Sequence, residues 1–338
     1  MKCPKCGAIV PPPNRFCELD GTQLVAETPI EADELTIKAP LVETCACGNI
    51  TFEDGFCTSC GKALPSTSTA YDHVEQAPVP ELAGLSDVGR HHPWNEDAMS
   101  LAAEVTDGVS TYILVVCDGV SSARDSQLMA RLAAEVTRAR LLEFAGTDAV
   151  DGMRDAILAA HRAICAAPDP DPDRTVARGK TQDPGCTIVA ALVRTGCATI
   201  GWVGDSRAYR LADSGGEALT HDHSWFNDVV DSGVMTAEQA LHSPQRNAIT
   251  RCLGPLGVDG PGQEPKVDVV VCELSPGQML LLCSDGLWKY AAEPADLARQ
   301  TQELPADSLP LDLSRHLVGY ANQCGGSDNI TAAILKVP

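Results

Sequence analysis

Four times in this chain an apolar run ends in, or begins just after, an aspartate held between small residues. The four are Val-Val-Cys-Asp118-Gly119, Trp-Val-Gly-Asp205-Ser-Arg, Leu-Cys-Ser-Asp285-Gly, and Gly-Ser-Asp328-Asn ahead of Ile-Thr-Ala-Ala-Ile-Leu. Short Val/Ile/Leu runs read as buried strands. A carboxylate at such a strand end sits at the rim of a core, where desolvation is costly unless a cation compensates. One aspartate of this kind is a turn residue. Four of them, far apart in sequence, predict a carboxylate cluster built by the fold. Hard divalent metals prefer all-oxygen sites of that kind.

The elements around these aspartates form an α+β pattern. Residues 99–105 and 111–117 read as strands, and 122–144 as a helix with Leu128, Leu132, Val136, Ala139 and Leu142 on one face. A second helix is predicted over 148–166, and an Asp/Pro-rich exposed loop over 168–184. Strands follow at 186–193, 197–203 and 206–212, then a helical and irregular stretch over 221–264. Strands return at 266–272 and 278–283, helices at 294–302 and 307–321, and a last strand at 330–336. Strand clusters separated by helix pairs indicate antiparallel sheets rather than alternating βαβ units.

Seven of the fifteen cysteines lie in the first 60 residues, in tight pairs. They define two small modules, 1–25 and 41–64, which are an imperfect internal repeat. Cys45, Cys47, Cys57 and Cys60 suit tetrahedral zinc, with C-x-C in place of the usual C-x2-C. The first module offers Cys3, Cys6 and Cys17, and Asp20 stands where a fourth ligand is expected. Asp20 is either that ligand or only the turn residue of Asp-Gly. Segments this short bury no sufficient core, so metal binding would supply their folding free energy. Residues 65–80 read as a flexible linker, and 81–338 as one domain. The eight later cysteines fall mostly in apolar runs and read as core residues in a reducing compartment.

A net charge of −21 argues against nucleic acid or anionic membranes as partners. No apolar stretch approaches the roughly 20 residues of a membrane span. The N-terminal Met-Lys-Cys-Pro-Lys-Cys carries no apolar signal region, so a cytoplasmic protein is expected.

Further motifs join the aspartates: Ser86-Asp87-Val88-Gly89, Asn95-Glu96-Asp97, Thr220-His-Asp222-His223-Ser224, and Arg246-Asn247 through Gly254. In that order, over about residues 82–337, the series resembles the metal-dependent protein phosphatases, the type 2C serine/threonine family. Both N-terminal modules resemble double zinc ribbons. The first resemblance implies an αββα sandwich, two antiparallel sheets with helices outside, and a site for two or three manganese or magnesium ions. It matches Asp118 to the bridging ligand, Gly119 to a carbonyl ligand, and Asp285 and Asp328 to carboxylates on the second metal. It matches Glu96 and Asp97 to residues holding metal-bound water, and Asp205 to a ligand of a third metal. The reaction implied is hydrolysis of phosphoserine and phosphothreonine by a metal-activated water, without a covalent protein nucleophile. Phosphorylated proteins are the implied substrates, with a serine/threonine kinase pathway as their source. The ribbons imply a docking role for a protein partner, and zinc as a second kind of metal.

Two departures from the pattern stand out. His92 occupies the position of the family's phosphate-binding arginine, and Arg90 lies two residues earlier. An imidazole donates strongly to phosphate only when protonated and lacks the bidentate fork of a guanidinium. Either His92 is a weakened phosphate ligand, or Arg90 substitutes for it, or His92 only packs at the strand start. Asp118-Gly119-Val120-Ser121-Ser122 lacks the glycines that usually follow the Asp-Gly pair. Of the remaining residues, His221 and His223 read either as an acid near the leaving group or as loop-orienting, Arg207 as support for the acidic cluster, and 224–264 as the flap that sets selectivity. The rival reading is a pseudophosphatase scaffold that binds phosphoproteins or kinases without turnover.

Overall fold

The computed structural model describes residues 71–120, 123, 125–144, 148–167, 183–255 and 263–338, together with two short strands in the second cysteine module. Those strands, β1 (Phe52–Glu53) and β2 (Phe56–Cys57), pair antiparallel. Cys3, Cys6, Cys17, Asp20, Cys45, Cys47 and Cys60 lie outside the described residues, as does most of the loop expected at 168–184.

The larger fold runs β3 (His73–Val79), β4 (Leu82–Asp87), β5 (Asp97–Thr106), β6 (Val109–Asp118), α1 (Ser126–Glu143), α2 (Ala149–Ala166), β7 (Ile188–Arg194), β8 (Cys197–Val203), β9 (Arg207–Ala212) and β10 (Gly215–Ala218). It continues α3 (Trp225–Asp231), α4 (Ala237–Leu241), β11 (Asp268–Glu273), β12 (Met279–Cys283), α5 (Asp285–Trp288), α6 (Pro294–Gln302), α7 (Pro310–Gln323) and β13 (Ile330–Lys336). Six strands form one sheet in the order β10-β9-β12-β13-β4-β3, and five form another in the order β11-β8-β7-β6-β5. Every pairing is antiparallel.

Three apolar layers hold these sheets. On β6, Tyr112, Leu114 and Val116 face the other sheet, where they join Leu280 and Leu282 of β12 and Ala333 and Leu335 of β13. The alternate residues Ile113, Val115 and Cys117 pack with Met129 and Ala133 of α1 and Ile157 and Ile164 of α2. Leu281 and Cys283 of β12 turn the other way, against Leu297 of α6 and Leu313 and Leu317 of α7. The layers are therefore helix, sheet, sheet, helix. Both faces of the central strands are covered, which is why they read as unbroken apolar runs rather than as alternation.

The boundaries expected at 65–80 need correction. Residues 73–79 are not linker but edge strand β3, paired to β4 with a register shift between Gln76 and Val79. Proline is tolerated on an edge strand, so Pro78 does not break it. Glu75 accepts two bonds from Arg315 of α7, at 2.7 Å each. Gln76 reaches across to the other sheet, donating to Met99 O and accepting from Leu101 N. Helix α1 starts at Ser126 rather than 122, after Asp125 in a left-handed conformation at φ 49°. Of the later cysteines, Cys117, Cys186, Cys252 and Cys283 are buried as expected, whereas Cys165, Cys197 and Cys324 are exposed.

Candidate active site

Strand register gathers the acidic residues at one end of the sandwich. Asp97 opens β5 and lies directly across from Asp118, the last residue of β6. Like charges opposite each other on paired strands repel. Asp285 follows the end of β12, and Asp328 precedes the start of β13, the strand paired to β12. Asp205 sits in the turn between β8 and β9.

Asp97, Asp118, Asp205 and Asp285 are perturbed by burial and by neighbouring carboxyls. Desolvation raises Asp118 well above the usual carboxylate range, and Asp97, Asp285, Asp328 and Asp205 raise it further. Asp97 is pushed up to about 7 by burial and by Asp328 and Asp285, although hydroxyl donors partly offset this. Asp205 is pushed up to about 7 by burial, Asp285 and Asp222. Asp285 is raised by burial and Asp328, against the pull of Lys289. Five carboxyls thus feel one another at one place.

Polar side chains aim these carboxyls. Asp97 Oδ2 accepts from Ser284 Oγ at 2.6 Å and Thr331 Oγ1 at 2.7 Å, both from the opposite sheet. Asn329 Oδ1 accepts from Glu96 N at 2.8 Å, while its Nδ2 donates to Val88 O and Trp94 O, pinning the loop from β4 to β5. That loop turns at Gly89, φ 78°, where a Cβ would stand 2.1 Å from Asp328 O. Glu96 Oε1 accepts from Ser126 Oγ at 2.5 Å and Trp94 Nε1 at 3.3 Å. Gly286 presses so closely on β13 that a Cβ there would lie 1.9 Å from Asn329 O.

Two basic side chains of the chain, Lys289 and His92, enter the cluster. Lys289 Nζ lies 2.5 Å from Asp285 Oδ2 and 3.3 Å from Asp328 Oδ2. Burial alone would lower its pKa, but Asp285 and Asp328 outweigh burial and keep the ammonium charged. His92 Nε2 is 3.3 Å from Asp328 Oδ1, whereas Arg90 is exposed and donates its backbone N–H to Gly326 O. His92, not Arg90, is therefore the residue of that loop that faces the acidic site.

A second layer backs Asp205. Trp288 Nε1 donates to Asp205 O at 2.9 Å. Arg207 Nε and Nη2 donate to the two oxygens of Asp222, at 2.8 and 2.7 Å. His223 stacks on Trp202, accepts at Nδ1 from Gly204 N and meets Asp268 Oδ2 with Nε2 at 2.9 Å. Its ring is thus committed to holding the loop before Asp205. His221 pairs with Asp231 at the surface.

The donor set fits hard divalent cations. It is all oxygen, and the buried Asp97 Oδ1 and Asp285 Oδ1 accept no hydrogen bond. Among the described residues, no three His, Cys, Asp or Glu side chains are drawn into a tight metal cage. The carboxylates repel one another, and Lys289 takes up part of their charge.

Residues 89–317 match the protein phosphatase 2C family. The chain belongs to that family. A serine/threonine phosphatase, Stp, of Listeria innocua is 33% identical over 152 residues, 45% of this chain and 56% of its own length. The chain thus spans about half the length of the curated relatives it matches. The serine/threonine phosphatase of S. agalactiae superposes with a TM-score of 0.58 at 27% identity, covering 78% of this chain and all of that one. The catalytic domain of the phosphatase PstP, solved with two manganese ions, gives a TM-score of 0.57 at 25% identity, covering 78% of this chain and 97% of its own. Two antiparallel sheets between helices are what the protein phosphatase 2C fold predicts, and they are observed. No helix among the described residues is long and apolar enough to cross a membrane.

Ser126, Ser284, Thr331, Asn329, Trp288 and Lys289 escape sequence reasoning. Ser284 and Asn329 carry a signal, as the residues before Asp285 and after Asp328 in the aspartate motifs. The others are ordinary serine, threonine, tryptophan and lysine until the fold brings them to the carboxylates.

Proposed function

We propose that the chain is a metal-dependent protein serine/threonine phosphatase acting on phosphoserine and phosphothreonine in protein substrates. The observation that carries this reading is the gathering of Asp97, Asp118, Asp205, Asp285 and Asp328 as mutually repelling carboxyls in a protein phosphatase 2C fold. Asp118, the Gly119 carbonyl, Asp285 and Asp328 would hold two manganese or magnesium ions, with Asp205 reserved for a third. Such ions supply Lewis acidity and an acidified water for in-line attack on a phosphate ester.

The chain's own groups prepare that chemistry. Ser126 and Trp94 hold Glu96, and Ser284 and Thr331 hold Asp97, so neither carboxylate swings away from the site. His92, half-buried beside Asp328, is the donor placed to meet a substrate phosphate. Residues 224–264, whose described part begins at the Ser224 pairing with Ile249, are the flap that would read the substrate's peptide. Zinc at Cys3, Cys6, Cys17 and Asp20, and at Cys45, Cys47, Cys57 and Cys60, would form ribbons that dock a protein partner, in a pathway with a serine/threonine kinase.

The test is hydrolysis of an aryl phosphate and of a phosphothreonine peptide with added manganese, using Asp118→Asn as the control. Metal-dependent turnover that vanishes in the control supports the proposal. Turnover no greater than the control's would leave the scaffold reading, in which the site binds phosphoproteins without hydrolysing them.

A further inference from the structure

Lys289 stands at the C-terminal end of the one-turn helix α5, four residues after Asp285. It is tied to two carboxylates at once, and those two, Asp285 and Asp328, are 43 positions apart in the chain. Both are proposed ligands of the same metal. The contacts use Asp285 Oδ2 and Asp328 Oδ2, so an ammonium already claims an oxygen of each.

A divalent cation bound to those oxygens would stand within a few ångströms of the ammonium. At such separations a double and a single positive charge repel strongly even at a generous effective dielectric. Lys289 has room to leave. Its side chain is 35% exposed, and its flexible four-carbon stem follows a helix of four residues. As a tethered cation it competes at a high effective concentration that no dilution lowers.

Resting on the metal-dependent reading of the site, we infer that Lys289 is an intramolecular competitor for the divalent cation. It occupies the Asp285 and Asp328 oxygens and must swing out before a metal takes them. The lysine therefore sets the metal concentration at which the site fills. It also neutralises part of the carboxylate repulsion, so it trades stability of the chelated protein against metal affinity.

The test is calorimetric titration of manganese chloride into the full chain after treatment with chelator and buffer exchange, for wild type, Lys289→Met and Lys289→Arg. Thermal melts in chelator are recorded beside it. Lys289→Met should bind manganese about tenfold tighter, the equivalent of one charge-assisted contact no longer broken on metal entry. It should also melt at a lower temperature in chelator. Lys289→Arg keeps the competing charge and should stay within about twofold of wild type. Lys289→Gln provides a second neutral variant if the methionine protein does not fold. Equal or weaker manganese binding by the neutral variants would overturn the inference. Turnover with unchanged manganese affinity would sink the lysine's role alone. Tighter binding without any turnover would instead sink the phosphatase reading and leave the competition standing.

Discussion

The Arg207 guanidinium lies over the Trp288 ring, 3.7 Å from its centroid, while its fork grips both oxygens of Asp222. Trp288 in turn bonds the backbone of Asp205. A proposed metal ligand is thereby positioned through two residues outside the proposed ligand set. Arg207→Lys keeps a charge but loses the fork and the flat stack. We expect it to weaken manganese binding at the weakest site severalfold while leaving the fold intact. Arg207→Ala should destabilise by about 3 kcal/mol, because Asp222 is left buried and unpaired. Calorimetry and denaturant melts distinguish the two effects.

Chelation should reverse the usual acid lability at this site. Asp97 and Asp205 are both pushed up to about 7 by burial and neighbouring carboxyls, against about 3.9 for a free aspartate. The folded chain then holds protons that the unfolded chain releases between these values. The stability from these groups is full below about pH 4 and is lost as pH rises through about 7. In excess chelator the melting temperature should therefore fall across that window. Manganese, by favouring the ionised carboxylates, should restore it most at the alkaline end. A chelated protein that becomes more stable with rising pH across the window would contradict the repulsion described here.

His223 should behave as a neutral ring. Burial pushes its pKa below the ordinary histidine value, and the bond to Asp268 only partly offsets this. Its Nδ1 accepts from Gly204 N–H, so a proton there would confront another donor. The stability it contributes is present above about pH 6.5 and is lost as pH falls below that value. Nitrogen-detected magnetic resonance should show the Nε2–H tautomer at neutral pH. A ring that protonates above the free value would refute the assignment.

Gly286→Ala should be more damaging than its size suggests. The new methyl would meet the Asn329 carbonyl at 1.9 Å, a backbone atom that cannot rotate away. A loss of about 2–3 kcal/mol is expected, with metal binding reduced because Asp285 and Asp328 flank the clash. Gly108→Ala, at a turn where a Cβ meets nothing but φ is 78°, provides a strain control remote from the carboxylates.

The strands covered on both faces are the part of this fold most legible in the sequence. Tyr112–Cys117, Met279–Cys283 and Ile330–Lys336 are apolar almost throughout, and their ends point to Asp118, Asp285 and Asp328 from the residue pattern alone. Strands β3 and β4 are not legible, for opposite reasons. β3 is an exposed edge with Glu75, Gln76 and Pro78, a composition shared with linkers. β4 is buried but carries Gly84 near its centre, where a Cβ would lie 2.7 Å from Met99 Sδ, and a mid-strand glycine hides the pattern. Contacts such as Ser284 with Asp97 or Lys289 with Asp328 carry no local signature, because the first pair meets only between the two sheets and the second only once β12 and β13 are side by side.

Asp97 takes its hydrogen bonds from residues 187 and 234 positions further along the chain, and both come from the other sheet. The carboxylate cluster therefore belongs to neither sheet alone. Contacts of such sequence separation close late in folding, after the loop entropy between them has been spent. A chain emerging from synthesis holds Asp97 and Asp118 long before Asp285 and Asp328 exist to join them. Any catalysis at this site consequently begins only when the final strand, β13, is in place, and a chain truncated before Ile330 should be catalytically silent however well its first sheet forms.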